Sequence, residues 1–183
     1  MKNISTLSRL FVLSLTTVAT LGSAQVSADP TEIVAHLDFQ CPFSGRHFGT
    51  LKQLQEKYGN QVEIRIKNFP LSFHTDAELL AKAQICSSGD PALGDYTAYL
   101  FEAGKVSGSS VDSLAAKFAE LGGAEGSFRD CLRAVETADQ LKEEIAAAEE
   151  LEVNSTPTTF INGKKIAGAL PIEEFEKLIG AHK

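Results

Sequence analysis

The chain of 183 residues reads as one α/β domain interrupted by a block of helices. Three observations set that class. A short apolar run passes into a proline-led helix and then an alternating strand. No strand signal occurs between residues 75 and 151, and an Asn-Gly turn joins two short strands ahead of a last helix. The predicted order is β-α-β, a helical insertion, then β-β-α.

Glu32 to Phe39 has the continuous apolar character of a buried central strand. From Pro42, Phe48, Leu51, Leu54 and Tyr58 recur at helical spacing, with Pro42 in the first turn, where its missing N–H costs nothing, and Gly59-Asn60 as the stop. Val62, Ile64 and Ile66 alternate with Glu63, Arg65 and Lys67, the pattern of a strand with one buried face, broken at Asn68-Phe69-Pro70. Thr75 with Glu78 is expected to form a capping box for a helix carrying Leu79, Leu80, Ala83 and Cys86. Helices are predicted over Tyr96–Ala103 and Val111–Leu121. A fourth is expected to be capped by Ser127 with Asp130 and to contain Cys131 and Leu132. A fifth runs from Thr137 to Leu151 with Asp139, Glu143, Glu144, Glu149 and Glu150 as its solvated face. Thr158–Ile161, the Asn162-Gly163 turn and Lys164–Ala167 form a hairpin, and Pro171 opens a closing helix with Ile172, Phe175 and Ile179 on one face.

Hydrophobic residues make up 43% of the chain, which is globular usage, and 17 basic against 24 acidic residues give a net charge of −7. That sign disfavours a phosphate backbone, so no nucleic-acid partner is expected. Residues 1–28 read as a secretory signal peptide: Lys2 and Arg9 precede a run from Leu10 to Leu21 of apolar residues with Ser and Thr, and small residues follow. Cleavage is placed after Ala28, leaving residues 29–183 with no further membrane insertion; an uncleaved anchor is disfavoured because the run falls short of the roughly 20 residues a spanning helix needs. Export to an oxidising compartment lets paired cysteines persist as disulfides. Three cysteines then leave one thiol without an internal partner.

Cys41 lies where a strand feeds a helix. There backbone N–H groups and the positive end of the helix dipole favour the thiolate, which is the attacking species in disulfide exchange. The same site, at an exposed strand-to-helix turn, is a poor place for an inert buried thiol.

Phe39-Gln40-Cys41-Pro42-Phe43-Ser44, Phe69-Pro70-Leu71 with His74, Ser155-Thr156-Pro157-Thr158, and Asn162-Gly163-Lys164 followed by Gly168-Ala169 together resemble the DsbA-like branch of the thioredoxin superfamily. The resemblance spans residues 31–181. It implies a thioredoxin fold with an inserted helical domain at about 75–151, acting on protein thiols and disulfides in the bacterial cell envelope, the periplasm or its equivalent. It further implies a cis bond at Thr156-Pro157 facing the reactive cysteine, although X–Pro bonds are cis in only about 5% of cases. The Thr156 backbone would pair with an extended client as an added strand, beside Pro157, Pro42 and Phe43.

The departure from this family's Cys-x-x-Cys is Ser44. Native or introduced by exchange, a hydroxyl here neither attacks sulfur nor forms a disulfide; at most it donates a hydrogen bond to the Cys41 thiolate. A mixed disulfide at Cys41 must then wait for an outside thiol, from a cysteine-containing client, a redox partner or a small thiol. That suits isomerisation, reduction or client trapping better than net oxidation. Pairing Cys41 with either other cysteine would consume its thiol, so Cys86–Cys131 is the expected bridge, the alternative being two buried free thiols.

His36 is expected to be a hydrogen-bonded core residue. His47, six residues along the helix, should point away from Cys41, and His74 is a weaker candidate for approaching the site. Four scattered histidines make no zinc site, and no cofactor is indicated. Two other classes compete: a kappa-type glutathione transferase, similar in fold, and a thiol-independent chaperone or binding module.

Overall fold

The computed structural model describes residues 29–87 and 94–180. The segment read as a signal peptide lies outside these residues. Strand β1 (Thr31–Leu37) passes through a four-residue turn into helix α1 (Pro42–Tyr58). Gly59, at φ 54°, ends the helix in a conformation that glycine adopts without strain, and a short 3₁₀ turn leads to β2 (Val62–Asn68). Helices α2 (Ala77–Cys86), α3 (Asp95–Ala103), α4 (Val111–Glu120), α5 (Glu125–Arg133) and α6 (Val135–Glu150) follow. Strands β3 (Thr158–Ile161) and β4 (Lys164–Ala167) and helix α7 (Ile172–Gly180) complete the chain. The α/β class is as the residue pattern predicts, and the thioredoxin fold with inserted helices is as the resemblance implies.

The sheet order is β2-β1-β3-β4. Strand β1 is parallel to β2, from Thr31↔Val62 to Leu37↔Asn68, and antiparallel to β3, with His36 opposite Thr158. The period of two sends Ile33, Ala35 and Leu37 to one face, where they join Phe48, Leu51 and Leu54 of α1 and Phe175 and Ile179 of α7 in a continuous core. The other face carries His36, Lys67 and Phe160 and is crossed by α6, with a smaller cluster of Phe69, Ala148 and Val153 beneath it. Asn162 and Gly163 both have positive φ, the conformation a two-residue hairpin needs at both positions.

Several local expectations are corrected. Strand β1 ends at Leu37, two residues early, because Asp38 turns the chain. Helix α2 starts at Ala77 without a side-chain cap. Thr75 and Glu78 form no capping box there, since Glu78 pairs with Lys82 and the Asp76 carboxylate accepts the N–H groups of Gly108 and Ser109 at 2.7 and 3.0 Å. Ser127 and Asp130 lie inside α5, which begins at Glu125 with Ala124 as its N-cap, so neither caps it. The capping box that does form is Ser110 with Ser113 on α4. Glu144 is not part of a solvated face. Its carboxylate turns to the sheet, accepting both the backbone and side-chain N–H groups of buried Asn68 at 3.0 and 2.9 Å.

Cys86 and Cys131 are bonded, with Cα atoms 5.8 Å apart, joining α2 to α5. Thr137, in the first turn of α6, donates to the Cys131 carbonyl at 2.7 Å, so the bridge and the start of α6 share one anchor. Cys41 is the free cysteine.

Candidate active site around Cys41

The turn that ends β1 is built on one carboxylate. Asp38 is buried; its Oδ1 accepts the Gln40 N–H at 2.7 Å, its Oδ2 accepts the Leu71 N–H at 2.7 Å, and Oδ2 lies 2.8 Å from His74 Nδ1. The first of these is an Asx turn, the local habit of an aspartate whose side chain reaches the backbone two residues on. Gln40 in turn accepts the Asp76 N–H at 2.6 Å through Oε1. The loop from Leu71 to Asp76 is thereby tied to the residues that place Cys41.

Cys41 is the N-cap of α1, with extended backbone (φ −76°, ψ 117°) and Pro42 next in line. Its own carbonyl accepts the first helical bond, from Gly45 N–H at 3.1 Å. Its thiol donates to the Thr156 carbonyl at 3.3 Å, across 115 residues of sequence. The Thr156-Pro157 bond is cis. Cys41 is only 6% exposed, which corrects the expected exposed turn. The segment leading to β3 closes over the sulfur on one side. Gly104 at the end of α3 packs against the turn ahead of Cys41, so close that a Cβ there would be 2.1 Å from the Phe39 carbonyl oxygen.

Ser44 is fully buried and turned away from the sulfur: its Oγ accepts the Asp38 N–H at 3.3 Å. The first helical turn points position 44 inward beneath β1, so the Ser44 oxygen serves the turn at Asp38. Pro42 and Phe43 are exposed at the helix tip, and the Arg46 guanidinium stacks over the Phe43 ring at 4.6 Å. Pro157 is buried, and the Thr156 hydroxyl oxygen is enclosed without a hydrogen-bond partner.

A family model described as Thioredoxin matches residues 21–181. The chain belongs to the thioredoxin family. Among solved structures, the thiol-disulfide exchange protein α-DsbA2 of Wolbachia pipientis superposes with a TM-score of 0.73 at 16% identity, over 86% of this chain and 84% of that one. Oxidised BdbD of Bacillus subtilis gives 0.71 at 19% identity, over 85% and 88%. These likenesses establish a DsbA-like fold. A Na(+)/H(+) antiporter NhaA 1 of Mycobacterium sp. (strain KMS) is 29% identical over 147 residues, which is 76% of this chain and 23% of that protein. The chain thus spans about a quarter of the length of the curated relatives it matches.

Within this family fold the histidines take separate places. His74 reaches the site indirectly, through Asp38. His47 packs on Phe175 and shares a 2.8 Å hydrogen bond with Thr159 through Nε2; burial lowers its pKa to about 4. His36 is buried but not hydrogen-bonded as expected, since neither ring nitrogen has a partner and the ring sits edge-on to Phe160. Desolvation lowers its pKa; nearby Glu144 opposes the shift and Lys67 adds to it. Sequence reasoning missed Asp38, whose signal was an aspartate just past a strand end, ahead of a helix N-terminus. It also missed Gly104, whose role depends on a neighbour 65 residues away that no local pattern reveals.

Proposed function

We propose that this protein is an exported thiol-disulfide exchange protein working through Cys41 alone. The observation that carries the reading is the placement of the free thiol: an N-cap sulfur whose hydrogen goes to the Thr156 carbonyl, with no second sulfur at position 44. The Cys41 thiolate attacks a client disulfide. The client S–S bond breaks, one client sulfur leaves as thiolate and takes up a proton, and a mixed disulfide forms at Cys41. That sulfur now carries no hydrogen, so the Thr156 carbonyl loses its donor. An extended client supplies a replacement from its own backbone N–H, pairing as an added strand beside Pro157, with Pro42 and Phe43 at the rim. Buried Ser44 holds the turn and takes no part in bond exchange, so release requires an outside thiol. Isomerisation, reduction of mixed disulfides and client trapping all fit this sequence of steps. Residues 1–28 would deliver the protein to the bacterial cell envelope.

Trapping tests the reading. Reduced protein incubated with a disulfide-bonded client peptide should accumulate a mixed disulfide at Cys41, visible by mass spectrometry without reductant, and Cys41→Ser should abolish it. Ser44→Cys should restore turnover in a dithiol oxidase assay. Client binding that survives Cys41→Ser intact would establish a binding module, and conjugation of glutathione to an electrophile would establish a transferase; either result defeats the proposal.

A further inference from the structure

The proposed exchange needs a second thiol, and the fold holds a groove in which one fits. Between α1 and α3 lies a cavity of about 560 Å³ that begins at Cys41. Small-molecule sites typically fall in the range of roughly 300–1,000 Å³. Its walls are Phe39, Phe48, Phe101 and Ala98, and its rim carries Arg46, Lys105 and Glu102. Neither Thr156 nor Pro157 lines it. A client strand on the Thr156 carbonyl therefore leaves the groove open, and both meet at Cys41.

The groove exists because α1 lacks side chains along it. Gly45 and Gly49, four residues apart, share the helix face that borders it. Neither needs glycine for its backbone, since neither has positive φ. A Cβ at Gly49 would meet nothing within 4 Å, and one at Gly45 would make only an ordinary contact with Phe101 at 3.7 Å. Packing does not explain them either, and glycine inside a helix is disfavoured. The bare face keeps space open beside Cys41.

Charge indicates what fills it. On a chain of net charge −7, Arg46 makes no ion pair among the described residues and stands at the groove mouth, oriented by the Phe43 ring. Lys105 on the opposite rim is neutralised by Glu102, which leaves Arg46 as the uncompensated cation at the groove mouth. We infer that the groove binds a small thiol bearing a carboxylate, with its sulfur at Cys41 and its carboxylate on Arg46, and that this molecule resolves the mixed disulfide. This rests on the exchange reading above.

The steps balance. The thiolate of the small molecule attacks the Cys41 sulfur of the mixed disulfide; the Cys41–client bond breaks, and the client leaves reduced with a proton taken up. A second thiolate then attacks the sulfur of the small molecule bound to Cys41; the Cys41–small-molecule S–S bond breaks, giving the small-molecule disulfide and the free Cys41 thiolate.

The test measures how fast the reduced full-length protein is modified at Cys41 by oxidised glutathione, by neutral hydroxyethyl disulfide and by cationic cystamine, followed by whole-protein mass spectrometry. Each rate is divided by that of free N-acetylcysteine. The expected result is a relative preference for oxidised glutathione of about fivefold over the neutral reagent, with cystamine slowest, as a charge-assisted contact predicts. Arg46→Gln should remove most of that preference, and Gly49→Leu, which fills the groove where a Cβ has open space, should remove it as well. Equal relative rates for the three reagents, a preference for cystamine, or a glutathione preference that persists in both variants would overturn the groove assignment and leave Cys41 exchange standing. Failure of Cys41 to react with any of the three would overturn the exchange reading itself.

Discussion

Two sulfur sites in this chain are built in contrasting ways. The helical segment uses Cys86 and Cys131 against each other, 45 residues apart in sequence, with Thr137 anchoring the bridge to the start of α6. The sheet half leaves Cys41 uncommitted and surrounds it with hydrogen bonds that span the fold: to Thr156 from the far end of the chain, and through Asp38 to the loop at Leu71 and His74. The covalent staple stabilises the helices without engaging the third sulfur. The polar network holds that sulfur without bonding it, which leaves it available for exchange.

The comparison breaks most severely if the staple is removed. A Cys86→Ala/Cys131→Ala double variant should lose about 4 kcal/mol of stability for a loop of this length, read as a lower urea midpoint. Cys41 should still form its mixed disulfide under native conditions. If trapping at Cys41 disappeared while the protein stayed folded, the two sulfur sites would be coupled and the contrast would fail.

Acid should act on the other half. His47 on α1 and His36 on β1 both have pKa values lowered by burial, whereas no histidine lies in the described helical segment. A histidine whose folded pKa lies below its unfolded value takes up protons on unfolding, so its contribution is fully present above about pH 6.5 and is lost as the pH falls. For His47 the window runs from about 6.5 down to about 4 and amounts to roughly 3 kcal/mol. His36 works in the same direction. Urea titrations at several pH values should therefore give a shallower acid loss for His47→Gln than for the parent chain. An identical slope would remove this histidine from the account.

Asp38→Ala comes next, at about 2 kcal/mol, because it removes the buried acceptor of half-buried Gln40, Leu71 and His74. It should also change the rate at which Cys41 is alkylated, since the turn that aims the sulfur loses its support. Stability loss with an unchanged alkylation rate would show that the turn holds its shape without the carboxylate.

What the residue pattern carried, and what it did not, follows the same division. Period-two alternation in Val62–Lys67, the proline-led helix after Cys41 and the Asn162-Gly163 turn are local signals, and the elements formed where they point. The position of Cys41 at a helix N-terminus was equally local. Its low exposure was not, since it depends on Thr156 closing in from a distant part of the chain. The surroundings of Ser44 are non-local in the same way: the motif says only that the residue follows Cys41 by three, while burial of that helix face brings its oxygen to the Asp38 N–H. Glu144 looked like one of several solvated acids on α6 until tertiary packing set it against Asn68. Caps failed where the apparent cap residue had a stronger competing use, as with Glu78 and its pairing to Lys82.

The smallest effect tests whether the helical segment is held locally. Ser110 caps α4 by accepting the Ser113 N–H at 3.1 Å, while Ser113 Oγ accepts the Ser110 N–H at 3.1 Å, a closed exchange within four residues. Ser110→Ala removes one side of it and should cost about 1 kcal/mol. The site is exposed, so water replaces part of what is lost, and the cap makes no direct hydrogen bond to Asp38. The alkylation rate of Cys41 should therefore stay at the parent value, in contrast to Asp38→Ala. The ratio of the two effects, stability lost against rate changed, separates a local cap from the long-range network. If Ser110→Ala altered the Cys41 rate as strongly as Asp38→Ala does, then the α4 cap, through the neighbouring Gly108 and Ser109 bonds to Asp76 and from there to Gln40, would belong to the same network as the sulfur.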